Sequence, residues 1–278
     1  MNRIKSIFVS VFITLVAVMM VLSLLRLFQN GFTLVWVGML LTTLPIIGYF
    51  ANLFRNTTPR TTRNLTPIAA MMGVGVFGTL QSANENIWVV AIALLIFLLW
   101  IVYVIWYSKL ERPLNSHLAA GRQLSSFTMK DGDGTAVSLS SFAGKKVMLL
   151  FYRGNWCPFC MAQIKEVVAQ YQEIAQRGVH VVLISPQSQG KTKQLAQKFD
   201  VPMTFLVDEE NRVARQLGIA HENGLPAGME VLGYDSDTVL PTLILIDENG
   251  RILATNQTDN YRIRPEPVEF LHFLDNLT

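Results

Sequence analysis

Long apolar runs fill most of the first 107 residues and restrict what this part of the chain can fold into. Residues 7–28, 32–54 and 86–107 each form a run long enough to cross the hydrocarbon core of a bilayer, for which a helix needs ~20 residues. Because backbone amides find no water in that core, such a segment satisfies them within an α-helix. The sequence therefore predicts membrane-spanning helices over these three ranges.

A shorter apolar run decides whether the membrane region has three helices or four. Residues 65–81 are at the lower limit of length for a span, so this run either spans the bilayer or is re-entrant. Within it, residues 73–78 match G-x-G-x-x-G, a motif that binds dinucleotides only between a strand and a helix of a βαβ unit. Because this copy lies inside an apolar segment, we interpret its glycines as sites of close helix packing.

Positive charge is concentrated at the ends of the apolar runs. Residues 1–112 carry eight Lys and Arg against two acidic residues, whereas residues 113–278 carry 15 against 18. With four spans, all the basic flanks fall on one side, which the positive-inside rule assigns to the cytoplasm. We therefore predict an all-α transmembrane region of about four helices over 1–112, the rest of the chain on the cytoplasmic side, and no nucleic-acid partner.

The remainder of the chain has the pattern of an α/β domain. A linker over 113–120 is followed by strand and helix patterns that alternate through 121–278, with two hairpin signatures and a closing helix over 265–277. This alternation predicts a mixed sheet covered by helices on both faces. The polar, glycine-containing residues 220–238 are predicted to form a long loop, a candidate border of the active site.

Both cysteines of the chain lie within residues 151–160, F-Y-R-G-N-W-C-P-F-C, between an apolar strand pattern and a helical pattern. Cys157 is therefore predicted at the first turn of a helix, where free backbone N–H groups and the helix dipole stabilise a thiolate. Cys160 lies one turn further, within reach of a mixed disulfide on Cys157. Pro158 suits a first helical turn, and Arg153 adds a nearby positive charge.

Two structural explanations of the C-x-x-C spacing are weaker than redox chemistry. A zinc site needs three or four protein ligands, and the four histidines are scattered without ligand spacing. A disulfide across two residues closes almost no loop and would stabilise little. C-x-x-C near a βαβ pattern is instead typical of thiol redox proteins, so no metal and no cofactor are predicted.

The motif W-C-P-F-C after an apolar strand resembles that of the thioredoxin superfamily, and the longer string F-Y-R-G-N-W-C-P-F-C resembles its peroxiredoxin-like branch, the AhpC/TSA or redoxin domains. Residues 239–250 resemble the cis-proline strand and hairpin of the superfamily, and residues 261–267 resemble a terminal motif of the branch. The resemblance covers about 121–278 and implies a thioredoxin-like fold. It also implies a cis Leu240–Pro241 bond beside the cysteines, which would leave the backbone near Leu240 free to pair with a substrate peptide.

The motif and the apolar runs together predict a membrane-anchored thiol–disulfide oxidoreductase. In this mechanism the Cys157 thiolate attacks a substrate disulfide, and Cys160 resolves the mixed disulfide. Trp156 and Phe159 are expected to pack around the thiols and limit solvent access. The partners implied are a disulfide-containing protein or small-thiol substrate, a thiol reductant, the lipid bilayer, and a membrane protein as a further docking candidate.

Two other functions stay open. The first is a peroxiredoxin-like thiol peroxidase, an antioxidant enzyme. The resemblance implies the motif P-x-x-x-T-x-x-C at the reactive cysteine, and with Cys157 in that place Leu150 and Gly154 replace the Pro and the Thr. The missing Thr hydroxyl argues against efficient peroxidase chemistry. Sulfenic acid at Cys157, resolved by Cys160, is nevertheless chemically feasible. The third candidate is a non-catalytic membrane scaffold whose redoxin domain only binds a partner.

Overall fold

The computed structural model describes residues 2–55, 65–82, 84, 86–112, 115–264, 271–272 and 275. The chain divides into two compact units. The first, the helical unit, comprises Arg3–Arg55 and the chain up to Lys109. The second, the thiol domain, begins at Leu110 and runs to the end of the chain. The predicted closing helix over 265–277 lies largely outside the described residues.

Four apolar helices make up the helical unit. They are α1 (Asn2–Asn30), α2 (Leu34–Arg55), α3 (Thr66–Leu80) and α4 (Ile87–Val102), the last continuing as a π-helical turn over Tyr103–Tyr107. By length and composition α1, α2 and the continuous Ile87–Tyr107 segment can cross a membrane, with mean hydropathies of 2.8, 1.8 and 3.0. At 15 residues α3 is shorter. The prediction of about four spans thus holds only approximately, because three helices are long enough to cross a membrane and the fourth apolar helix is shorter.

Helices α2 and α3 approach each other at glycines. A Cβ atom on Gly75 would lie 2.5 Å from the Thr42 amide nitrogen and 2.7 Å from the Gly38 carbonyl oxygen. A Cβ on Gly73 would meet no atom within 4 Å. Gly75 therefore permits the close helix packing that the sequence predicts for this glycine-rich segment, whereas Gly73 does not take part in it.

A seven-stranded mixed sheet forms the centre of the thiol domain. Its strands are β1 (Thr128–Asp131), β2 (Ala136–Ser138), β3 (Lys146–Phe151), β4 (Val179–Ser185), β5 (Thr204–Val207), β8 (Thr242–Ile246) and β9 (Ile252–Gln257). They are ordered β2-β1-β5-β4-β3-β8-β9, and a separate pair joins β6 (Ala220–His221) to β7 (Thr238–Val239). Strand β4 is parallel to β3 and β5, whereas β8 is antiparallel to β3.

The helices of the thiol domain alternate with its strands, as predicted. They are α5 (Pro158–Ala169), α6 (Tyr171–Gln176), α7 (Gln189–Ala196) and α8 (Arg212–Gln216). Every residue of β8, and every residue of β3 after the first, is buried, so both faces of the sheet centre are covered. The hairpins β1–β2 and β8–β9 form as predicted. The mixed sheet with helices confirms the predicted thioredoxin-like α/β fold.

Candidate active site

The dithiol lies where the central strand β3 passes into helix α5. Strand β3 ends at Phe151, and Cys157 is the N-cap residue of α5, with Pro158 in the first helical position. The Cys157 amide donates to the Gly154 carbonyl (3.2 Å), which closes the turn between strand and helix. Gly154 has φ +146°, and a Cβ there would lie 2.6 Å from the Trp156 indole nitrogen. Only glycine fits this turn without displacing Trp156.

Both thiols are buried and free. Cys157 is 1% exposed and Cys160 is fully buried. Burial raises the pKa of Cys157 well above its ordinary value, and the S–H of Cys157 donates a hydrogen bond to Cys160. Burial also acts to raise the pKa of Cys160, but the Cys157 S–H, the charge of Arg264 and the Arg153 backbone N–H overcome it and lower that pKa to about 6.

This order is the reverse of the one expected from the position of Cys157 at the helix start. Cys157 is the N-cap residue, yet its own side chain makes no cap hydrogen bond. The sulfur of Cys160 accepts hydrogen bonds from two groups, the Cys157 S–H and the Arg153 N–H. Because donors stabilise the charged form of an acid, these hydrogen bonds favour a thiolate on Cys160 over one on Cys157.

Two arginines supply positive charge to the dithiol. The Arg153 guanidinium lies between the rings of Trp156 (4.8 Å) and Tyr261 (5.5 Å) and donates to the Gly224 carbonyl. Arg264 donates through Nη1 to the Asn260 carbonyl (3.4 Å). Its Nε and Nη2 atoms are buried and have no hydrogen-bond partner among the described residues. Burial lowers the pKa of Arg264, and the charges of the two cysteines act in the opposite direction.

Aromatic side chains close the site on the helix side. Phe159 is buried and packs edge to face against Tyr261, with ring centroids 5.2 Å apart. Trp156 is half-buried and stacks on Arg153. The segment after β9 that resembles a terminal redoxin motif thus brings Tyr261 and Arg264 to the cysteines.

A polar network holds the turn before Cys157. The Asn155 amide donates to Gln187 Oε1 (2.8 Å), and Gln187 Nε2 donates to the buried Tyr152 hydroxyl (3.1 Å). The Tyr234 hydroxyl donates to Asn155 Oδ1 (2.6 Å). Burial raises the pKa of Tyr152, and a thiolate on Cys160 raises it further, so this phenol stays neutral. The network fixes the turn without adding negative charge to it.

Residues 224–238, here called the covering loop, are bonded to the dithiol turn at three points. The Gly224 carbonyl accepts from Arg153, the Thr238 hydroxyl donates to the Arg153 carbonyl (2.9 Å), and Tyr234 donates to Asn155. A crevice of about 10 Å³, room for about one water molecule, is lined by residues of the loop and the turn. The loop predicted from its polar composition therefore does border the dithiol turn.

Pro241 differs from its expected geometry. The Leu240–Pro241 bond is not cis. The Leu240 amide donates to the Ile219 carbonyl (2.7 Å), and the Leu240 carbonyl accepts from the Thr242 hydroxyl (2.8 Å). The backbone expected to be open to a substrate peptide is thus already paired within the domain. Pro241 itself is buried at the start of β8, where Thr242 pairs with Phe151 at the end of β3.

Several groups around the dithiol carry no recognisable sequence signal. No pattern in the sequence singles out Tyr152, Gln187, Tyr234 or Arg264 individually. Arg264 lies in the stretch 261–267 that resembles the redoxin branch, which was a usable indication. Gln187 directly follows Pro186 after a buried strand, and nothing in its neighbours marks it as a contact of the dithiol turn.

Comparison with known proteins identifies the family of the chain. Residues 120–255 match the AhpC/TSA family. The chloroplastic peroxiredoxin Q of Suaeda salsa is 30% identical over 161 residues, which cover 56% of this chain and 69% of that protein. The chain belongs to the AhpC/TSA family. The chloroplastic peroxiredoxin Q of Populus jackii is 33% identical to this chain over 112 residues, 40% of its length.

The relatives differ from this chain in extent. The chain spans about half the length of the Populus jackii protein (53%) and 62% of a peroxiredoxin Q of Sedum lineare. Among solved structures, peroxidoxin BcpB from Mycobacterium tuberculosis is 22% identical, with a TM-score of 0.48 over 58% of this chain and 99% of that one. The AhpC/TSA match begins at residue 120 and leaves the helical unit outside it.

Proposed function

We propose that this chain is a membrane-anchored, peroxiredoxin-like thiol oxidoreductase that reduces a peroxide with the Cys157–Cys160 dithiol. The observation that carries the proposal is the buried Cys160 sulfur, which accepts hydrogen bonds from the Cys157 S–H and the Arg153 N–H beside the charge of Arg264. A thiolate is the nucleophilic form of cysteine, and donors beside it also stabilise the oxyanion that leaves when a peroxide is cleaved.

The reaction is balanced in three steps. The Cys160 thiolate attacks one oxygen of ROOH, the O–O bond breaks, Cys160 becomes a sulfenic acid, and RO⁻ takes a proton to leave as ROH. Cys157 then attacks the sulfenic sulfur, which forms the Cys157–Cys160 disulfide and releases water. An external dithiol returns two electrons and two protons and restores both thiols.

Two features favour a small oxidant over a protein disulfide. Cys160 is fully buried and Cys157 nearly so, and a folded protein cannot bring its disulfide into line with a buried sulfur. The backbone of Leu240, where an extended peptide was expected to pair, is bonded to Ile219 and Thr242.

The test is peroxide oxidation of the full-length, reduced protein in detergent micelles. We expect Cys157→Ser to accumulate sulfenic acid on Cys160, trapped by dimedone and located by peptide mass spectrometry. Cys160→Ser should lose peroxide reactivity by at least about 10³-fold, because the residual thiol has a raised pKa. Sulfenic acid on Cys157 in Cys160→Ser, formed at the wild-type rate, would contradict the assigned roles.

Thiol–disulfide exchange is the second candidate, and the C-x-x-C spacing with both thiols free favours it. It predicts that the reduced protein reacts with a small disulfide far faster than with peroxide. The same two variants separate the mechanisms, because exchange leaves a stable mixed disulfide on whichever cysteine attacks first. A wild-type protein inert to peroxide but rapidly oxidised by glutathione disulfide would make exchange the function.

We further propose that the apolar helices anchor this enzyme in a bilayer as a multi-pass region whose spans lie within about 1–112, with the linker 113–120 and residues 121–278 on the cytoplasmic side. The lengths and hydropathies of α1, α2 and the Ile87–Tyr107 segment support the anchor. Retention in membranes after alkaline extraction tests it, and labelling of a cysteine placed at exposed Arg122 in sealed cells tests the side. Release by alkali, or labelling from outside, would overturn the respective assignment.

A further inference from the structure

Arg112 belongs to the thiol domain, although its place in the sequence groups it with the basic flank of the last apolar run. It is half-buried, and it lies in the compact unit that begins at Leu110. Its Nη1 donates to the Pro241 carbonyl (3.0 Å), and its Nη2 donates to the Thr242 hydroxyl (2.8 Å). A lipid-facing flank residue would keep its guanidinium in water or among headgroups, so these contacts indicate a different role.

The two acceptors of Arg112 lie beside the strand that carries the dithiol turn. Thr242 pairs with Phe151, the last residue of β3, and the turn to Cys157 begins at the next residue. The Thr242 hydroxyl also donates to the Leu240 carbonyl. Arg112 thus holds two consecutive residues at the point where β8 begins against the end of β3.

The charge of Arg112 is not neutralised by a carboxylate among the described residues. Its Nε is buried without a hydrogen-bond partner there. Burial and the positive charge of Arg264 lower the pKa of Arg112 to about 10. Arg264 in turn has two buried nitrogens without partners in the described part of the chain and lies beside both cysteines. A thiolate on Cys160 offsets the charge of Arg264, which is itself the charged neighbour of Arg112.

We propose that Arg112 is a positioning residue of the dithiol site, which fixes the start of β8 against the end of β3 and places a second positive charge behind Arg264 to favour the Cys160 thiolate. This inference rests on the proposed function only for the identity of the reacting thiolate. Arg112 lies between the last apolar helix and the AhpC/TSA match, and the inference gives this connecting residue a role in the thiol chemistry. No catalytic contact is required of Arg112, because it acts through Arg264 and β8.

The test is the pH profile of Cys160 alkylation by iodoacetamide in full-length protein, followed by mass spectrometry. The groups that face Cys160 are Cys157, Arg153, Arg264 and Tyr152. We expect Arg112→Gln to move the midpoint upward by about half a unit to one unit, as the loss of a positive charge behind Arg264 requires. Arg112→Lys should recover most of the shift, because it keeps the charge.

Arg122→Gln is the matched control, because Arg122 is exposed in the same domain and its removal changes the net charge equally. It should leave the midpoint in place. A wild-type midpoint in Arg112→Gln, or an equal shift in the control, overturns the inference. If Arg112→Gln fails to melt cooperatively, Arg112→Met and Thr242→Val replace it. Arg112→Met removes the charge, and Thr242→Val removes one of the two acceptors of Arg112. An unshifted midpoint in either variant overturns the inference as well.

Failure of this inference is distinguishable from failure of the proposed function. Alkylation reports the Cys160 thiolate whether the natural oxidant is a peroxide or a disulfide. A wild-type protein that reacts with peroxide, with an unshifted Arg112→Gln profile, refutes only the role of Arg112. A protein inert to peroxide, with a shifted profile, refutes only the peroxidase reaction.

Discussion

The helical unit and the thiol domain treat buried polar groups in opposite ways. In the described part of the helical unit the buried polar side chains are hydroxyls, such as Ser23, Thr42 and Thr79, and each donates to a carbonyl three to five residues earlier in the chain. The thiol domain buries ionisable groups instead, among them Arg153 and the two cysteines. Its buried donors reach across the fold, as Thr238 does to the Arg153 carbonyl.

The two units also differ in what they expose. Large apolar side chains cover the outside of the helices, with Leu98 58% exposed, whereas the apolar side chains of β3 and β8 are buried. Self-satisfied hydroxyls and an apolar exterior suit a solvent without hydrogen-bonding capacity. Buried cations suit a site that must hold a thiolate. The difference indicates that the helical unit has the surface expected in an apolar solvent, whereas the thiol domain has the buried charges expected around a reactive thiolate.

The largest expected effect tests the exterior of the helical unit. Leu98→Arg places a charge on the exposed face of α4, which in a bilayer costs about 2.5–3.5 kcal/mol at the helix centre. Val231→Arg changes an 86%-exposed apolar residue of the thiol domain and should stay within about ±0.5 kcal/mol. The fraction of each variant retained in membranes after alkaline extraction is the measurement. Equal retention of the two variants would contradict a bilayer around the exposed face of α4.

The next effect concerns the close approach of α2 and α3. Gly75→Ala puts a methyl group 2.5 Å from the Thr42 amide nitrogen, so we expect a loss of about 1–3 kcal/mol, seen as a lower melting temperature in micelles. Gly73→Ala is the matched control two residues away, where the added methyl group meets nothing within 4 Å. It should be neutral or stabilising by up to about 1 kcal/mol, since alanine favours a helix more than glycine. Equal losses in both would refute close packing at Gly75.

The third prediction is a pH dependence confined to the thiol domain. The pKa of Cys160 is lowered to about 6 in the folded state from an unfolded value of about 8.5, so its contribution to stability is present above the unfolded value and is lost as pH falls through 6. The raised pKa of Cys157 acts oppositely, but only above about pH 8.5. As pH rises between these two values, the free energy of unfolding of the reduced wild type should increase relative to that of Cys160→Ser, by at most about 1.4 kcal/mol per pH unit.

Melting of the two reduced proteins at several pH values measures this difference. The transition of the helical unit is an internal control, because the described part of that unit buries no Asp, Glu, His, Lys, Arg or Cys side chain. A stability difference that shrinks as pH rises from about 6 to about 8 would place the thiolate elsewhere.

The smallest expected effect concerns the covering loop. Tyr234→Phe removes the 2.6 Å hydrogen bond to Asn155 and should cost about 1 kcal/mol locally, which raises the alkylation rate of the buried thiols about fivefold. Tyr171→Phe is the control. Tyr171 lies on helix α6, and its hydroxyl donates an exposed hydrogen bond to the Pro202 carbonyl (3.2 Å). Equal alkylation rates in wild type and Tyr234→Phe would show that the loop does not limit access.

The sequence alone predicts the division of the chain, the apolar helices, the alternating α/β pattern and the strand–turn–helix placement of Cys157 and Cys160. These features are local, because a run of apolar residues, a hairpin turn or a C-x-x-C spacing needs only neighbouring residues to be recognised. Proline at the first helical position follows from backbone geometry in the same way.

Only the tertiary structure decides which sulfur holds the charge. The groups that favour a thiolate on Cys160 include Arg264, more than 100 residues further along the chain, and the anchor of β8 at Pro241 comes from Arg112, 129 residues earlier. The paired backbone at Leu240 is likewise a product of a contact with Ile219. Electrostatic interactions and hydrogen bonds depend on the distance between groups in the folded protein, and a local sequence pattern does not predict that distance.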